Sequence, residues 1–396
     1  MIIRTFIFSI FLIASSFSGT LDEITKNALN RNFEIKEIQK SIDLSEQDII
    51  LSNTWKNPML SLGVNDIQFN NPLQRDKEAM QAQFIGLSQV IPTNGKLSKK
   101  TKIAQKDKEI AQLLLKEKKL SLISKIYEYG YSIIITQKKI DLINHYQKNT
   151  KELEEVASML YENGKTKQIV PLNAKLLNSK LQTQKENLIF KLQSLKLKLQ
   201  ELTYEDIQDI EASLEKKEYK KADINNHPTI LKLQKLIEKQ NSIAKFQNAK
   251  NIPDVKVNFG YFQREDRADY ASISVSFELP VRDIEEIEVT KANYKASMLQ
   301  DRIKTIKQLF ITKIQTLQKK MDKSYKNYEI LLHDMGSQKD YIGQNIALHA
   351  ELGHMNSIDL IQNINDSINL EIMALNELES YFSAYSQNLY FTGVTK

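Results

Sequence analysis

Seven prolines punctuate this chain, and the stretches that lack them constrain it most. They fall at 58, 72, 92, 171, 228, 253 and 280, which leaves 93–170 and 281–396 free of proline. A helix accepts proline only in its first turn, because the ring removes an N–H and collides with the turn before it. Both stretches can therefore be long helices. Their apolar spacing predicts the same. Phe310, Ile314, Leu317, Met321, Tyr325, Tyr328, Leu332 and Met335 recur every three or four residues. Leu177, Leu181, Leu188, Leu192, Leu195, Leu199 and Leu202 keep that rhythm with one step of seven. Such spacing is a coiled-coil seam, with Lys, Gln and Glu on the remaining faces.

The two halves of the chain repeat one plan. Asn30 to Ile35 resembles Asn225 to Ile230, Asn57-Pro58 resembles Ile252-Pro253, and Val90-Ile91-Pro92 resembles Glu278-Leu279-Pro280. These matches place the halves 188 (280 − 92) to 195 (253 − 58) residues apart. A period this long means two structural repeats rather than a solenoid. The first repeat is expected over 19–215, with strands 57–67 and 79–91, a long helix 96–163 and a return helix 170–203. The second is expected over 216–396, with strands 254–263 and 270–279, a long helix 284–352 and a return helix 357–390. Residues 1–18 read as a signal peptide: Arg4, an apolar run from Phe6 to Ala14, then Ser16 and Ser18 before a cut after Ser18.

The strands carry the strongest functional signal. Ala271, Ile273, Val275, Phe277 and Leu279 alternate with Ser272, Ser274, Ser276 and Glu278. Val255, Val257, Phe259 and Tyr261 alternate with Lys256, Asn258 and Gly260, and Leu60, Leu62 and Val64 with Ser61, Gly63 and Asn65. Residues 79–90 alternate less cleanly, with Gln81, Gln83 and Gln89 on one parity. Period 2 gives each strand an apolar and a polar face, and about 9–11 residues cross a bilayer when tilted. Two hairpins on a soluble sheet would show the same period. The serine- and glutamine-rich faces suit a water-filled lumen instead. Trp55, Phe69, Phe262 and Tyr270 at the strand ends would form interfacial aromatic belts. A sheet in lipid must close, because open edges leave backbone groups unpaired. Four strands cannot enclose a lumen, so three chains giving 12 strands are expected. A helix over 96–163 would reach about 100 Å at ~1.5 Å per residue, far beyond a membrane.

Taken together, the duplicated layout resembles the TolC family of outer-membrane efflux channels. Further carriers of the resemblance are the junction Ile91-Pro92-Thr93-Asn94-Gly95-Lys96-Leu97, the turns Tyr161-Glu162-Asn163-Gly164 and Glu351-Leu352-Gly353, and Ser357-Ile358-Asp359-Leu360-Ile361. It covers about residues 20–390, and the short chain looks most like the CzcC-type branch, associated with heavy-metal cations. The resemblance implies a mainly α fold with β. Long antiparallel coiled-coil helices would form a periplasmic α-barrel below a 12-strand trimeric transmembrane β-barrel. It implies a homotrimer in outer-membrane lipid, docked to a periplasmic adaptor and an RND-type inner-membrane pump. It also implies a periplasmic gate at Asp359, with Gln362 where a second acid often stands and Val170 as the apolar first-half equivalent of Asp359. Gly164, Lys165, Gly353 and His354 would form the adaptor-docking turns.

Enzyme classes find no footing in the sequence. The 11 glycines form no dinucleotide or phosphate loop, the five histidines form no H-E-x-x-H, and cysteine is absent. Asn94-Gly95-Lys96 reads as a structural turn, and 264–267 as an exposed loop. His349, Glu351, His354 and Met355 cluster near the second turn, but the two histidines are five residues apart and share a helical face poorly, so only three copies meeting at a tip could gather His354. No metal and no cofactor is expected. Lys and Glu alternate rather than cluster, so a net charge of +6 points to no nucleic-acid partner. A periplasmic adaptor or another coiled-coil interaction protein of an export system is the rival function.

Overall fold

The computed structural model describes residues 17–392 except 73, 220 and 353–356, and it describes their side chains except those of 17, 18 and 334–360. In chain order the elements are β1 (Phe17–Thr20), α1 (Leu21–Arg31), α2 (Phe33–Ser52), β2 (Met59–Asn65) and β3 (Ala82–Ile91). Then come α3 (Lys96–Glu162), α4 (Ile169–Thr203), β4 (Ile207–Glu211) and α5 (Pro228–Ala249). The series ends with β5 (Val255–Gln263), β6 (Tyr270–Ser276), α6 (Ile284–Leu352) and α7 (Ser357–Thr392). Among the described residues no helix is long and apolar enough to cross a membrane. Of the expected leader, 1–18, residues 1–16 lie outside the described residues and the last two fall in β1.

The chain divides into two compact units. One comprises Glu37–Lys116 and Pro228–Lys307. Its centre is an antiparallel sheet in the order β2-β3-β5-β6. The seam between the two repeats is β3–β5, where Ile85 faces Tyr261 and Leu87 faces Phe259. Asp254, just before β5, ties that seam to the start of α3. It accepts from the Thr93 N–H at 3.0 Å and from Lys96 Nζ at 2.6 Å, while Asn94 Nδ2 donates to the Ala249 carbonyl at 3.0 Å. The Asn94-Gly95-Lys96 turn is thus a joint between repeats. Farther along α3, Lys106 bridges Glu109 and Glu238 at 2.9 and 2.8 Å, and Lys239 of α5 reaches Asp107 at 2.5 Å.

The other unit comprises the described residues up to Lys36, those of Glu117–His227 and those from Gln308 on. Here α4 and α7 pack against the remainder of α3 and α6. One apolar cluster joins Ile143, Val170, Ala174, Leu177, Leu181, Ile361 and Ile364. A second joins Leu21, Tyr131, Leu317, Met321, Leu378 and Phe382, with the Tyr131 and Phe382 rings stacked at 4.1 Å. Of the heptad seams, Leu177 and Leu181 lie in the first cluster and Leu317 and Met321 in the second, and Leu195, Leu199, Phe310 and Ile314 are also buried. Leu332 is already exposed. The parallel pair β1–β4 was not legible in the sequence. Two strands of four and five residues are too short for a period to register. Thr20 ends β1 and caps α1: its Oγ1 accepts the Glu23 N–H, and Glu23 Oε2 accepts the Thr20 N–H.

Two expectations about the sheet need correction. Gln81 does not face a lumen. It is buried beside the loop between β2 and β3, donating to the Asp66 and Gln74 carbonyls and accepting from the Glu78 N–H. Gln83 stands on the parity of Ile85 and Leu87, so the glutamines of this run line no polar face. Phe262 and Tyr270 do not flank the apolar face as a belt. They share the parity of Ser272 and Ser274 and stack with ring centroids 4.7 Å apart, while Phe84 stacks on Phe262 at 5.5 Å. The serine-rich face therefore ends in an aromatic cluster beside the hairpin loops. Gly63 makes room for it, since a Cβ there would fall 2.5 Å from the Phe84 ring.

Candidate functional site

The sheet has two unpaired edges, β2 and β6. Its apolar parity is open to solvent in the single chain: Leu62 is 71% exposed, Ile273 73% and Val275 58%. An exposed apolar sheet face of this extent is a contact surface for lipid or protein. The opposite face carries Ser61, Ser88, Asn258, Ser272, Ser274 and Ser276, and Asn258 Nδ2 donates to Ser274 Oγ at 3.2 Å.

The α3–α4 turn is set by backbone geometry. Gly164 has φ +70°, its N–H meets the Tyr161 carbonyl at 2.9 Å, and the Lys165 N–H meets the Leu160 carbonyl at 2.8 Å. This is a Schellman ending, in which the left-handed residue lets the last carbonyls of a helix be satisfied. Pro171 then sits in the first turn of α4, where its missing N–H costs nothing. Gly164 and Lys165 are exposed. Around them Met159, Tyr161, Ile169 and Leu172 expose apolar side chains, 62% of the surface in the case of Met159. The sequence pointed to the turn through Gly164 but gave no sign of this apolar collar. Gly353 and His354, the residues expected at the second turn, lie outside the described residues, as does Met355.

At the start of α7, Ile361, Ile364 and Ile368 are buried and the other side is polar. Asp359 is the third residue of this helix, and its side chain lies outside the described set. Gln362 is exposed and donates to Asp366 Oδ1 at 2.9 Å. Asp366 is also exposed, and the sequence alone did not single it out. It is seven residues after Asp359, so a heptad places both on one stripe with Gln362 between them. Lys180 Nζ reaches Asn365 Oδ1 at 2.9 Å on the flank of that stripe. Val170, the first-half counterpart, is buried against Ile361 and Ile364 and presents nothing to solvent.

Lower on α7, Glu379 braces three helices. It accepts from Lys139 of α3 at 2.5 Å, from Lys191 of α4 at 2.6 Å and from Ser132 of α3 at 2.6 Å. Lys139 is 2% exposed and also donates to Asn376 at 2.6 Å. Burial works against the Glu379 carboxylate, but the hydrogen bonds from Lys139, Lys191 and Ser132 outweigh it and hold its pKa below the usual glutamate range. Nothing in the periodicity marks this brace, because its members lie some 190 to 250 residues apart in sequence.

Long helices with two β-hairpins are a fold that the chain shares with solved outer-membrane channels. The chain aligns over 94% of its length with the Campylobacter jejuni CmeC outer membrane channel at TM-score 0.78 and 14% identity, covering 85% of that chain. It aligns equally far with the open Neisseria gonorrhoeae MtrE outer membrane channel, at TM-score 0.79 and 13% identity over 88% of that chain. The outer membrane protein VceC of Vibrio cholerae follows at TM-score 0.72 and 12% identity over 96% of its chain. Residues 24–203 match the outer membrane efflux protein family. No curated protein matches in sequence. The resemblance to TolC-family efflux channels is borne out by the family match and by the fold.

Proposed function

We propose that three copies of this chain form an outer-membrane channel of a tripartite efflux system. The channel passes substrate from an inner-membrane pump of the RND type, through a periplasmic adaptor, to the exterior. The observation that carries this reading is the four-stranded sheet with two open edges and an apolar face exposed along its length. Such a sheet is untenable in lipid until it closes, and three copies close it as 12 strands around a lumen. Native mass measurement in detergent is expected to give a trimer, and a stable monomer or dimer overturns the proposal. Retention in the outer membrane after high-salt and carbonate washing separates a channel from a soluble adaptor.

Within this channel the α3–α4 turn, with Gly164, Lys165 and its apolar collar, meets the adaptor, together with the turn that holds Gly353 and His354. The stripe Asp359, Gln362 and Asp366 lines the periplasmic constriction. Three copies then bring six carboxylates together, and converging like charges attract cations. Asp359→Asn with Asp366→Asn is expected to reduce the cation selectivity of single channels in planar bilayers. Unchanged selectivity removes the stripe from the pore. A heavy-metal cargo fits an acidic constriction of this kind, and metal sensitivity of a strain lacking the chain tests that cargo.

A further inference from the structure

The two repeats meet inside one chain along β3–β5, and this seam is a worked example of how one hairpin of the protein pairs with another. The free edges are the same two kinds of strand: β6 is the second-repeat copy of β3, and β2 is the first-repeat copy of β5. If the equivalence of the repeats is known residue by residue, the seam predicts how β6 of one copy meets β2 of the next.

The structure supplies that equivalence. Pro92 corresponds to Pro280, and α3 starts at Lys96 as α6 starts at Ile284. A left-handed residue precedes each helix, Gly95 at φ +63° and Asp283 at φ +51°. The offset here is 188 (284 − 96). For the other strand, α2 ends at Ser52 and α5 at Ala249, and Gly63 matches Gly260. That offset is 197 (260 − 63), two more than the 195 that Pro58 and Pro253 imply. The hairpin registers decide between them. Gly63 faces Phe84 in the first hairpin, and the offsets 197 and 188 carry that pair onto Gly260 and Ser272, which do face each other in the second. An offset of 195 fails this test, because two extra residues separate α2 from Pro58.

We propose that β6 of one copy pairs antiparallel with β2 of the next in the register of the internal seam. Ser276 then lies opposite Ser61, Val275 opposite Leu62 and Ser274 opposite Gly63. These pairs are the images of Ser88–Asn258, Leu87–Phe259 and Gly86–Gly260 in the β3–β5 seam. The register sets apolar against apolar and serine against serine, as a two-faced sheet demands. It also gives Phe277 a partner in Leu60. Phe277 is 57% exposed and lies just past the last ladder residue of β6, so pairing extends that strand. The register rests on the trimeric reading above and specifies its interface.

The chain has no cysteine, so paired substitutions report the register without background. Directly opposed residues have Cα atoms about 4.5–5.5 Å apart, within disulfide reach. Diagonal neighbours lie about 7–8 Å apart, beyond it. Three double variants are compared after oxidation with copper phenanthroline: Ser61→Cys with Ser276→Cys, with Ser274→Cys, and with Glu278→Cys. Covalent dimers and trimers are expected from the first pair at least about tenfold faster than from the other two, given that spacing. Asn65→Cys with Ser272→Cys, a second pair in the same register, is expected to match the first. Faster coupling through Glu278, the register implied by an offset of 195, or through Ser274 overturns the proposal. So does an absence of coupling in variants whose native mass is trimeric. A monomeric mass for the unmodified chain overturns the trimeric reading itself.

Discussion

Replacing Glu379 by leucine strands a buried ammonium. Lys139 is 2% exposed, and its hydrogen bonds go to Glu379 and Asn376, so Glu379→Leu leaves the charge facing one neutral amide. Lys191 is 41% exposed and can turn to water. Removing one partner of a buried pair costs about 3–5 kcal/mol, because the other charge stays desolvated. An unfolding entropy of about 2.1 cal/mol/K per residue gives about 0.8 kcal/mol/K for a chain of 396 residues, so Tm is expected to fall by about 4–6 °C. Thermal unfolding followed by circular dichroism in detergent reads this directly. The double variant Lys139→Met with Glu379→Leu removes both charges and is expected to recover most of the loss, since well-packed apolar replacements of buried pairs are often neutral. A drop below about 1 °C for Glu379→Leu refutes the reasoning, as does a double variant as unstable as the single.

The same brace sets an acid limit. The Glu379 pKa is depressed in the folded state relative to its ordinary 4.5, so its contribution is complete above about pH 5 and is lost as pH falls through the depressed value. Glu379→Leu is expected to show a flatter fall of Tm between about pH 5 and pH 3 than the unmodified chain. At Gly164 a Cβ meets nothing within 4 Å, so Gly164→Ala is expected to cost only the left-handed backbone, about 1–2 kcal/mol confined to the turn. Gly164→Val adds a branched side chain at the same φ. It is expected to impair export while trimers still form, and normal export removes the turn from adaptor docking. Val275→Lys is expected to cost about 2–4 kcal/mol if the apolar parity meets lipid near the midplane. Ser274→Lys on the opposite face is expected to be tolerated better, and equal losses in heat-stability gels refute the assignment of faces.

Helices, strands and their duplication were legible because each leaves a local period. Proline-free length marked α3, α6 and α7, three-four spacing marked α4 and α6, and alternation marked the four strands of the sheet. Alternation names which residues share a face, but it does not say what stands opposite them. That is why Phe262 and Tyr270 read as an interfacial belt until the ladder placed them on the serine-rich face beside Phe84. Gln81 read as a lumen residue until the loop closed around it. The stripe proposed for the constriction was half visible: Asp359 stood in a recognisable segment, while Asp366 emerged once burial of Ile361, Ile364 and Ile368 showed which side of α7 is polar.

By itself, the sequence determined the kind of elements, their order and their repetition, since propensity and period act over a few neighbouring residues. The tertiary structure alone decided the pairings. Whether β2 corresponds to β5 by 195 or by 197 residues turns on hydrogen-bond ladders between segments far apart in the chain. Whether Glu379 meets Lys139 and Lys191 turns on three helices packing at one level. Such contacts are selected by the joint satisfaction of backbone and buried charge across the whole fold, and no window along the chain contains that sum.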